Sequence, residues 1–345
     1  MISILAVMTL LSCSHSGLLS GVQVKSVKPN KVLYLEAHDC LNDYFDEVSH
    51  CCGIQIINDT ILVLHDMVNE TSIHHFKVYS INSLNHLGSL IQNGRGYGEM
   101  LSPHIIKTNT GEDHLYLKEN SNGQIHVIDV IKSIETKNTV VDGSLIHPSN
   151  LVDWLPLPEF KQFLLQKENN YFVFHVADSN AEITDTFNLY DGIDVNVSAI
   201  YLSSFMLNRG TTGEVATVMA FLPQINLIDT DSKQVKSIAV NDDYHKWDSM
   251  MNSNFDMNTV QYYMGATSTP DYLFASYRGM PINMIYDSES GMSIHVFDWH
   301  GNFLYDLRIS DNVSDIAYDS INKKLYCLDA SNSRVLRYDM SGLGL

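Results

Sequence analysis

Histidine and acidic side chains are numerous enough in this chain to suggest metal binding or general acid–base chemistry. The 345 residues include 15 His and 40 Asp or Glu, but their spacing matches no motif for either. His74 and His75 are adjacent, so in a strand their side chains point to opposite faces, and the pattern His-Glu-x-x-His is absent. The acidic turns at 229–232 and 287–291 lack the terminal Glu of a calcium loop, and no Gly-x-Ser-x-Gly elbow marks a nucleophile. The sequence therefore predicts no cofactor and leaves a divalent metal ion open.

Cysteines offer a second kind of chemistry. Cys40, Cys51 and Cys52 lie close together, and in an exported chain a disulfide from Cys40 to Cys51 or to Cys52 would close a small loop. A zinc site is disfavoured because the adjacent pair has no spacer and no matching second pair. Cys327 stands alone in a predicted strand, where we expect a small buried hydrophobe.

The N-terminal segment has the pattern of a secretory signal. Residues 2–11 are apolar, too few to span a bilayer, and end in Leu-Leu-Ser-Cys at Cys13. This ending resembles a bacterial lipobox, whose cysteine becomes the lipid-modified first residue of the mature protein. The resemblance implies a signal peptide over residues 1–12, lipid attachment at Cys13 and a lipid-anchored tether over residues 13–30. It also implies a location in the cell envelope, periplasmic or surface-exposed, with the lipid as the contact with the membrane. The alternative is an ordinary apolar N-terminus.

Short strands separated by turn residues give the rest of the chain its fold. From Ser293 to Asp339, five apolar, β-branched or aromatic runs are bounded by Gly, Asn, Asp and Ser, which is typical of antiparallel hairpins. The same rhythm upstream, at roughly 50 residues a unit, predicts an all-β, six-bladed β-propeller of four-stranded antiparallel blades over residues 31–345. Among its strands are an outer strand of blade two at Thr136–Val141 and an inner strand of blade four at Val197–Phe205. The six groups of strands cover 53–91, 103–141, 151–189, 197–240, 260–309 and 313–339.

The last group contains three strands, and an isolated strand near the N-terminus would complete it. Val32–Leu35 has no hairpin partner beside it in the sequence. Pairing with Val335–Asp339 would close the ring and remove an exposed edge with its unpaired backbone groups. We therefore predict that the N-terminal strand closes the C-terminal blade.

Two stretches resemble a known family. Residues 313–339, VSDIAYDSINKKLYCLDASNSRVLRYD, are similar to a blade of NHL-type or TolB-like propellers, in which successive strands end in Asp. The glycine-rich stretch from Gly94 to Pro103 resembles the connection between blades in those propellers and in related envelope proteins. A phosphate-binding loop is the disfavoured alternative, because no Gly-Lys-Ser/Thr follows. The chain looks most like the TolB-like propeller lipoproteins of Bacteroidota, a resemblance that implies architecture but no activity.

Candidate ligand-binding residues lie on connections at one end of the ring, most of them on the longest connections. In an antiparallel blade, the connection to the next inner strand and the connection from second to third strand leave from one end of the ring. Binding residues concentrate on such loops. The long connections of this kind are 36–52, 241–259 and 278–293. The predicted ligand-binding residues are Tyr97, Tyr244, His245, Trp247 and Arg278. Two alternatives remain open: the loop side chains cap the blades or form a short helix, and the arginine pairs with a local carboxylate.

The net charge and the absence of catalytic motifs limit the functions that this chain can have. The net charge of −19 repels phosphate backbones, so we predict no nucleic-acid partner. The sequence favours a non-enzymatic binding or scaffold module whose loops contact a protein, peptide or glycan. The alternative is a metal-dependent hydrolase or lyase at the channel mouth, like the sugar-lactone hydrolases on similar rings. His104 and Asp153, near inner strands, would line that channel. A structural envelope component without a small ligand is the third hypothesis.

Overall fold

Six β-sheets form from the residues that the computed structural model describes. Each sheet contains one of the six predicted groups of strands, in the predicted order, so the all-β six-bladed propeller is confirmed. The described residues are 18–19, 21–37, 39–40, 51–66, 68, 73–109, 113–145, 150–169, 171–190, 199–210, 212–251, 253–284, 291–329, 332 and 334–345.

The strands are short and follow one another along the chain. The N-terminal segment contains β1 (Val24–Ser26), β2 (Lys31–Tyr34) and β3 (Asp39–Cys40). Blade one contains β4 (Cys51–Ile57), β5 (Ile61–Asp66), β6 (His74–Ser80), β7 (His86–Asn93) and β8 (Glu99–Met100). Blade two contains β9 (Pro103–Ile105), β10 (His114–Glu119), β11 (Ile125–Asp129) and β12 (Val141–Leu145). Blade three contains β13 (Leu151–Pro156), β14 (Gln162–Glu168), β15 (Tyr171–Ala177) and β16 (Ile183–Phe187).

The second half of the ring repeats this arrangement. Blade four contains β17 (Ser204–Asn208), β18 (Glu214–Met219), β19 (Gln224–Asp229) and β20 (Val235–Ala239). Blade five contains β21 (Val260–Ser268), β22 (Tyr272–Pro281), β23 (Met292–Asp298) and β24 (Phe303–Ile309). Blade six contains β25 (Asp315–Asp319), β26 (Lys324–Asp329) and β27 (Arg334–Asp339). Consecutive strands of a blade pair antiparallel, while β8, β1 and β2 add parallel fifth strands to blades one, four and five.

The ring closes with a different strand from the one predicted. Val32–Leu35 was predicted to complete blade six, but β2 pairs parallel with β24 on the outer edge of blade five. The fourth strand of blade six is β3, which pairs antiparallel with β27. The outer edges of blades five and six both present unpaired backbone groups, so a strand pattern alone does not choose between them. The two-residue β3 is too short to give a sequence signal.

Two other predicted strands were wrong. Thr136–Val141 was predicted as a strand, but the chain forms helix α1 (Val130–Thr136), and the outer strand of blade two starts at Val141. The side chain of Asp129 caps α1 by accepting from the backbone N–H of Lys132 at 2.9 Å, which stabilises a helix start. The inner strand of blade four was predicted at Val197–Phe205, but Ala199–Leu202 forms a 3-10 turn and the strand is β17 (Ser204–Asn208). The other helices of the described residues are α2 (Trp247–Met251) and 3-10 turns at Pro158–Phe160, Ala199–Leu202, Asp242–Lys246, Ile282–Met284 and Ser341–Leu343.

The apolar core lies between neighbouring blades. Phe274 of blade five stacks on Tyr318 of blade six with ring centroids 4.4 Å apart. Ile54 of blade one belongs to the same buried cluster as Ala317 and Leu328 of blade six. Each large apolar side chain buried in this way contributes about 1.5–3 kcal/mol. The first and last blades therefore share a core, and the ring is closed by side chains as well as by β3.

Candidate functional site

The two ends of the ring carry different connections. We call the end with the glycine-rich stretch 94–98 and the connection 241–259 the loop face. The opposite end carries the first turn of each blade, such as 58–60 and 269–271, and we call it the turn face. Inner strands run from the loop face to the turn face.

An ion pair joins inner strands of non-adjacent blades. Lys107 Nζ of blade two lies 2.9 Å from Asp315 Oδ2 of blade six, and the two side chains are 14% and 13% exposed. Lys107 also donates to the carbonyl oxygens of Ile54 and Ile316, the latter at 2.9 Å. Asp315 accepts from the backbone N–H of Ile54 at 3.0 Å. The pair therefore spans blade one and ties three blades together at the closure of the ring.

An uncharged network joins other blades nearer the turn face. Asn208 of blade four, which is 1% exposed, accepts at Oδ1 from the backbone N–H of Asn109 in blade two at 2.9 Å. Its Nδ2 donates to the carbonyl of Pro156 in blade three at 3.0 Å, and its own carbonyl accepts from Ser268 Oγ of blade five at 2.8 Å. Gly210 has φ +87° and lies so close to Asn109 that a Cβ would be 2.5 Å from the carbonyl oxygen. We call these four hydrogen-bonded residues, Asn109, Pro156, Asn208 and Ser268, the Asn208 hub.

His104 and Asp153 lie on or beside inner strands, as the sequence indicated, and share a charged neighbour. The side chain of His104 is exposed to solvent, but desolvation by the surrounding protein is the first cause that lowers its pKa, and Lys118 lowers it further while Asp315 opposes them. Burial raises the pKa of the Asp153 carboxyl to about 6, while Lys118 acts in the opposite direction. The ammonium of Lys118 donates to the carbonyl of Val152 in blade three. Lys118 thus bridges the contact between blades two and three.

Imidazole and thiol groups of blade one are held uncharged. Burial lowers the pKa of His65 to about 3, helped by His104 and His75. Cys52 is exposed to solvent, but the protein around its thiol partly desolvates the thiolate and raises the pKa to about 11, helped by the charges of Asp315 and Asp66. Among the described residues, no group of three or more His, Cys, Asp or Glu side chains is placed to hold a metal ion. The metal-dependent alternative therefore stays a prediction.

Tyr97 projects from a tightly held loop. Its side chain is 85% exposed, and its hydroxyl lies 3.4 Å from the carbonyl oxygen of Val141. The preceding N–H, of Gly96, donates to Glu99 Oε2 at 2.7 Å. Gly98 follows with φ +74°, and a Cβ there would be 3.2 Å from Thr139. A cavity of about 570 Å³ lies beside this loop, between it and the turn that joins β10 to β11.

The aromatic residues of the connection 241–259 are fastened to the protein. Tyr244 is buried, and its ring centroid lies 3.8 Å from that of the exposed His245. Trp247 is partly buried against the core of blades three and four, at the start of α2. Tyr244 and Trp247 therefore match the alternative in which the loop side chains cap the blades or form a short helix. These residues lie where blades four and five meet, across the ring from Tyr97, so the predicted residues do not form one cluster.

Arg278 holds two connections in place. It is 5% exposed, and its guanidinium donates to Asn312 Oδ1 at 2.5 Å and to the carbonyl of Met284 at 2.7 Å. Asn312 lies in the connection from blade five to blade six, and Met284 lies in the connection that follows β22. Both of these partners are neutral, and pairing with a local carboxylate or with an anionic ligand stays a prediction.

The remaining predicted residues fall outside the described part of the chain. Cys13 lies there, and so do the side chains of Cys40 and Cys51, so the lipid attachment and the disulfide stay predictions. The described cysteines, Cys52 and Cys327, are free, and Cys327 is buried as predicted. In the part of the chain that the structure describes, no helix has the length and hydropathy to span a bilayer.

The sequence did not single out the ion pair or the Asn208 hub. Lys107 directly follows the apolar residues Ile105 and Ile106 at the end of an inner strand, and a lysine in such a position is a signal that could have identified it. Asn208 lies at a strand end next to Gly210, where a turn asparagine is expected. Nothing in that pattern distinguishes a hub from an ordinary turn.

Comparisons with known proteins agree with this architecture. The model of the family described as TolB-like 6-blade propeller-like matches residues 31–320. A Bacteroides fragilis protein described as exported has a similar structure, with a TM-score of 0.55, 13% identity and coverage of 89% of this chain and 98% of its own. A member of the DUF4221 family from Bacteroides vulgatus gives a TM-score of 0.54, 9% identity and coverage of 88% and 97%.

A larger protein also contains this fold. Raptor from Chaetomium thermophilum gives a TM-score of 0.50 and 13% identity over 88% of this chain, which spans 28% of the Raptor chain. No curated protein matches the chain at a significant level. At these identities the likenesses show the fold alone, whereas the family match covers most of the chain. The chain therefore belongs to the TolB-like six-bladed propeller family.

Proposed function

We propose that this protein is a non-catalytic binding module and that its partner binds around Tyr97 on the loop face. The observation that carries the proposal is a large aromatic side chain, 85% exposed, on a loop whose backbone is fixed. Leaving such a ring in water forgoes about 1.5–3 kcal/mol that burial would supply. A partner that covers the ring recovers that energy.

The loop around Tyr97 is organised before any partner arrives. Glu99 accepts from the N–H of Gly96 at 2.7 Å and donates its own N–H to the Gly96 carbonyl at 3.1 Å. The N–H of Gly94 donates to the carbonyl of Met100 at 3.2 Å. A rigid loop loses little conformational entropy on binding, so more of the contact energy appears as affinity.

The chemistry of this surface favours a protein or peptide partner. Arg95 is exposed beside Tyr97 on the same loop, and both line the adjoining cavity of about 570 Å³. Tyr and Arg are the residue types that most often dominate binding energy at protein interfaces. A glycan is the alternative partner, since a tyrosine ring also stacks on sugar rings.

The test compares two exposed tyrosines. The purified chain is used to select binders from a phage-displayed library of random peptides and from an array of defined glycans. Tyr97→Ala is expected to weaken the selected interactions by roughly tenfold or more, the effect of losing an interface anchor. Tyr34→Ala is the matched control, because Tyr34 is 79% exposed on the outer edge of blade five.

Two results would contradict the proposal. Equal affinities for Tyr97→Ala and Tyr34→Ala would place the binding surface elsewhere. A wild-type protein that retains neither peptide nor glycan above background would remove the binding proposal at this face.

We also propose that the protein is held in the cell envelope by a lipid on Cys13. The lipobox-like ending of residues 2–11 supports this, and a structural neighbour from Bacteroides fragilis is described as exported. Radiolabelled palmitate should be incorporated by the wild-type chain in a Gram-negative host and not by Cys13→Ser. Equal labelling of both would exclude this anchor.

A further inference from the structure

The first turn of blade three, residues 157–161 on the turn face, carries a highly exposed aromatic ring. Phe160 is 86% exposed, more than any other large apolar side chain of the described residues. An apolar ring in water forgoes the favourable free energy that burial supplies. A single exposed apolar residue is nevertheless common on protein surfaces, so the surroundings of the ring decide whether it marks a contact surface.

The backbone that presents Phe160 is strained. Glu159 and Phe160 have φ values of 60° and 61°, in the left-handed region that bulky residues rarely adopt. Two hydrogen bonds hold the turn: the N–H of Leu157 donates to the carbonyl of Lys161 at 2.9 Å, and the N–H of Lys161 donates to the carbonyl of Pro158 at 3.2 Å. Strain of this kind concentrates at functional sites. A partner that buries the ring would offset its cost.

An apolar cavity, open to solvent, lies beside this ring between blades two and three. Its volume is about 610 Å³, and the Phe160 side chain forms part of its wall. Its apolar lining includes Tyr116 and Leu145 of blade two and Pro156 and Pro158 of blade three. Cavities of about 300–1,000 Å³ hold drug-sized molecules, so one aromatic ring fits. The ring and the cavity form one apolar patch, which distinguishes this ring from a scattered surface residue.

Opposite charges lie on either side of Phe160 in the chain. The Glu159 carboxylate and the Lys161 ammonium are 3.3 Å apart, and their side chains are 78% and 42% exposed. An ion pair this exposed contributes little within one chain, so both groups can also contact a partner. We call Phe160, these two charged neighbours and the adjoining cavity the Phe160 patch.

The Phe160 patch is complementary to itself. It contains a projecting ring and a cavity that accepts a ring, together with an exposed anion and an exposed cation. A two-fold dimer uses the same patch on both copies, so each feature of one copy must meet a different feature of the other. A patch that contains both members of an apolar pair and both members of an ion pair meets that requirement.

We propose that two copies of this chain associate through the Phe160 patch. Phe160 of each copy enters the cavity of the other, and Glu159 of each copy faces Lys161 of the other. Aromatic side chains that fill a pocket dominate the binding energy of protein interfaces. The patch lies on the turn face and Tyr97 lies on the loop face, so this proposal and the binding proposal for Tyr97 do not depend on each other.

The net charge of −19 on each chain opposes self-association at long range. At about 0.15 M salt the Debye length is about 8 Å, so charges far from the patch are largely screened. Association is therefore measured at that salt concentration.

Sedimentation equilibrium of the purified chain at several concentrations tests the proposal. The wild-type mass should rise with concentration from that of one chain to that of two. Phe160→Ala should raise the dissociation constant of the dimer by roughly hundredfold, because the dimer loses two anchors at about tenfold each. Tyr34→Ala is the matched control: its ring is 79% exposed on the outer edge of blade five, and its loss should leave the dissociation constant unchanged.

Phe160→Gly separates the interface from the fold. Glycine adopts a positive φ without strain, and the side chain that is lost is exposed, so the Tm of the monomer should not fall. The dissociation constant should rise as it does in Phe160→Ala. Circular dichroism at low protein concentration gives the Tm.

Charge reversal tests how the two copies are arranged. Lys161→Glu sets two carboxylates against each other at both symmetry-related contacts and should raise the dissociation constant by roughly tenfold. Adding Glu159→Lys restores opposite charges across the interface and should recover most of that loss.

Three results would overturn the proposal. The first is a wild-type chain that stays monomeric up to about 1 mM, where any remaining association is too weak to be specific. The second is an equal dissociation constant for Phe160→Gly and Tyr34→Ala. The third is a double charge variant that associates no more tightly than Lys161→Glu alone.

Discussion

The ring is held across its axis in two places, by ionised groups in one and by neutral groups in the other. The Lys107–Asp315 pair joins blades six, one and two, where the ring closes. The Asn208 hub joins blades two, three, four and five nearer the turn face. A buried charge is costly unless it is paired, whereas a buried amide needs only its hydrogen bonds. The two places should therefore respond differently to the loss of one partner.

Removing Asp315 should have the largest effect. Asp315→Ala leaves the Lys107 ammonium buried without its carboxylate and removes the acceptor for the Ile54 N–H. Because the two side chains keep 14% and 13% exposure, we expect the free energy of unfolding to fall by about 3 kcal/mol, the lower end of the range for breaking a buried pair. Urea denaturation measures this loss. Lys324→Ala is the control, because it breaks the more exposed Lys324–Asp339 pair of the same blade and should change stability little.

A double variant sharpens that result. Combining Lys107→Met with Asp315→Leu removes both charges and should recover part of the stability lost in Asp315→Ala, since only the Ile54 N–H then lacks the partner that Asp315 gave it. If the single variant loses no more stability than Lys324→Ala, the pair does not help to hold the ring closed.

Removing the amide of Asn208 should have a smaller effect. Asn208→Ala leaves the N–H of Asn109 and the carbonyl of Pro156 without their partner in the hub. The expected loss is about 1–3 kcal/mol, the cost of unpaired buried polar groups. Asn258→Ala is the control, since its side chain accepts from Asn283 at an exposed site. A loss above that of Asp315→Ala would reverse the comparison between the two places.

The sequence predicted the fold well because hairpin turns and strand period are local properties. All six blades appear in the predicted order, and Tyr97 lies on the predicted connection. The errors at β3 and α1 concern which edge a short strand pairs with and where one capping hydrogen bond forms. The edge on which β3 pairs is not set by local composition, whereas Asp129 is a local signal for a helix start that the strand prediction did not use.

The candidate sites depend on contacts between distant parts of the chain. Lys107 and Asp315 are 208 positions apart, and Asn109 and Asn208 are 99 apart. A single sequence gives no information about which residues meet at such distances. Tyr244 and Trp247 were chosen for their aromatic content, but the same property makes them pack on the core.

Titration of the Asp153 carboxyl should make the free energy of unfolding depend on pH. The contribution of the Asn208 hub should not change with pH. The folded pKa of Asp153 is about 6, raised by burial from the ordinary value of 3.8. Between these values the folded state holds a proton that the unfolded state has lost, so stability falls as pH rises from 3.8 to 6 and stays reduced above 6. Asp153→Asn removes this loss. The variant should therefore gain about 1–2 kcal/mol over the wild-type protein between pH 4 and pH 7, less than a fully buried group would give.

The measured quantity must be the difference in free energy of unfolding between Asp153→Asn and the wild-type protein, because other groups titrate in the same pH range. His65, whose pKa is lowered to about 3 by burial, acts in the opposite sense: it contributes stability above about pH 6.5 that is lost as pH falls. Urea denaturation at several pH values gives the difference directly, since His65 is present in both proteins. Asn208→Ala should show the same loss at every pH. A difference between Asp153→Asn and wild type that does not change from pH 4 to pH 7 would show that this carboxyl titrates alike in the folded and unfolded states.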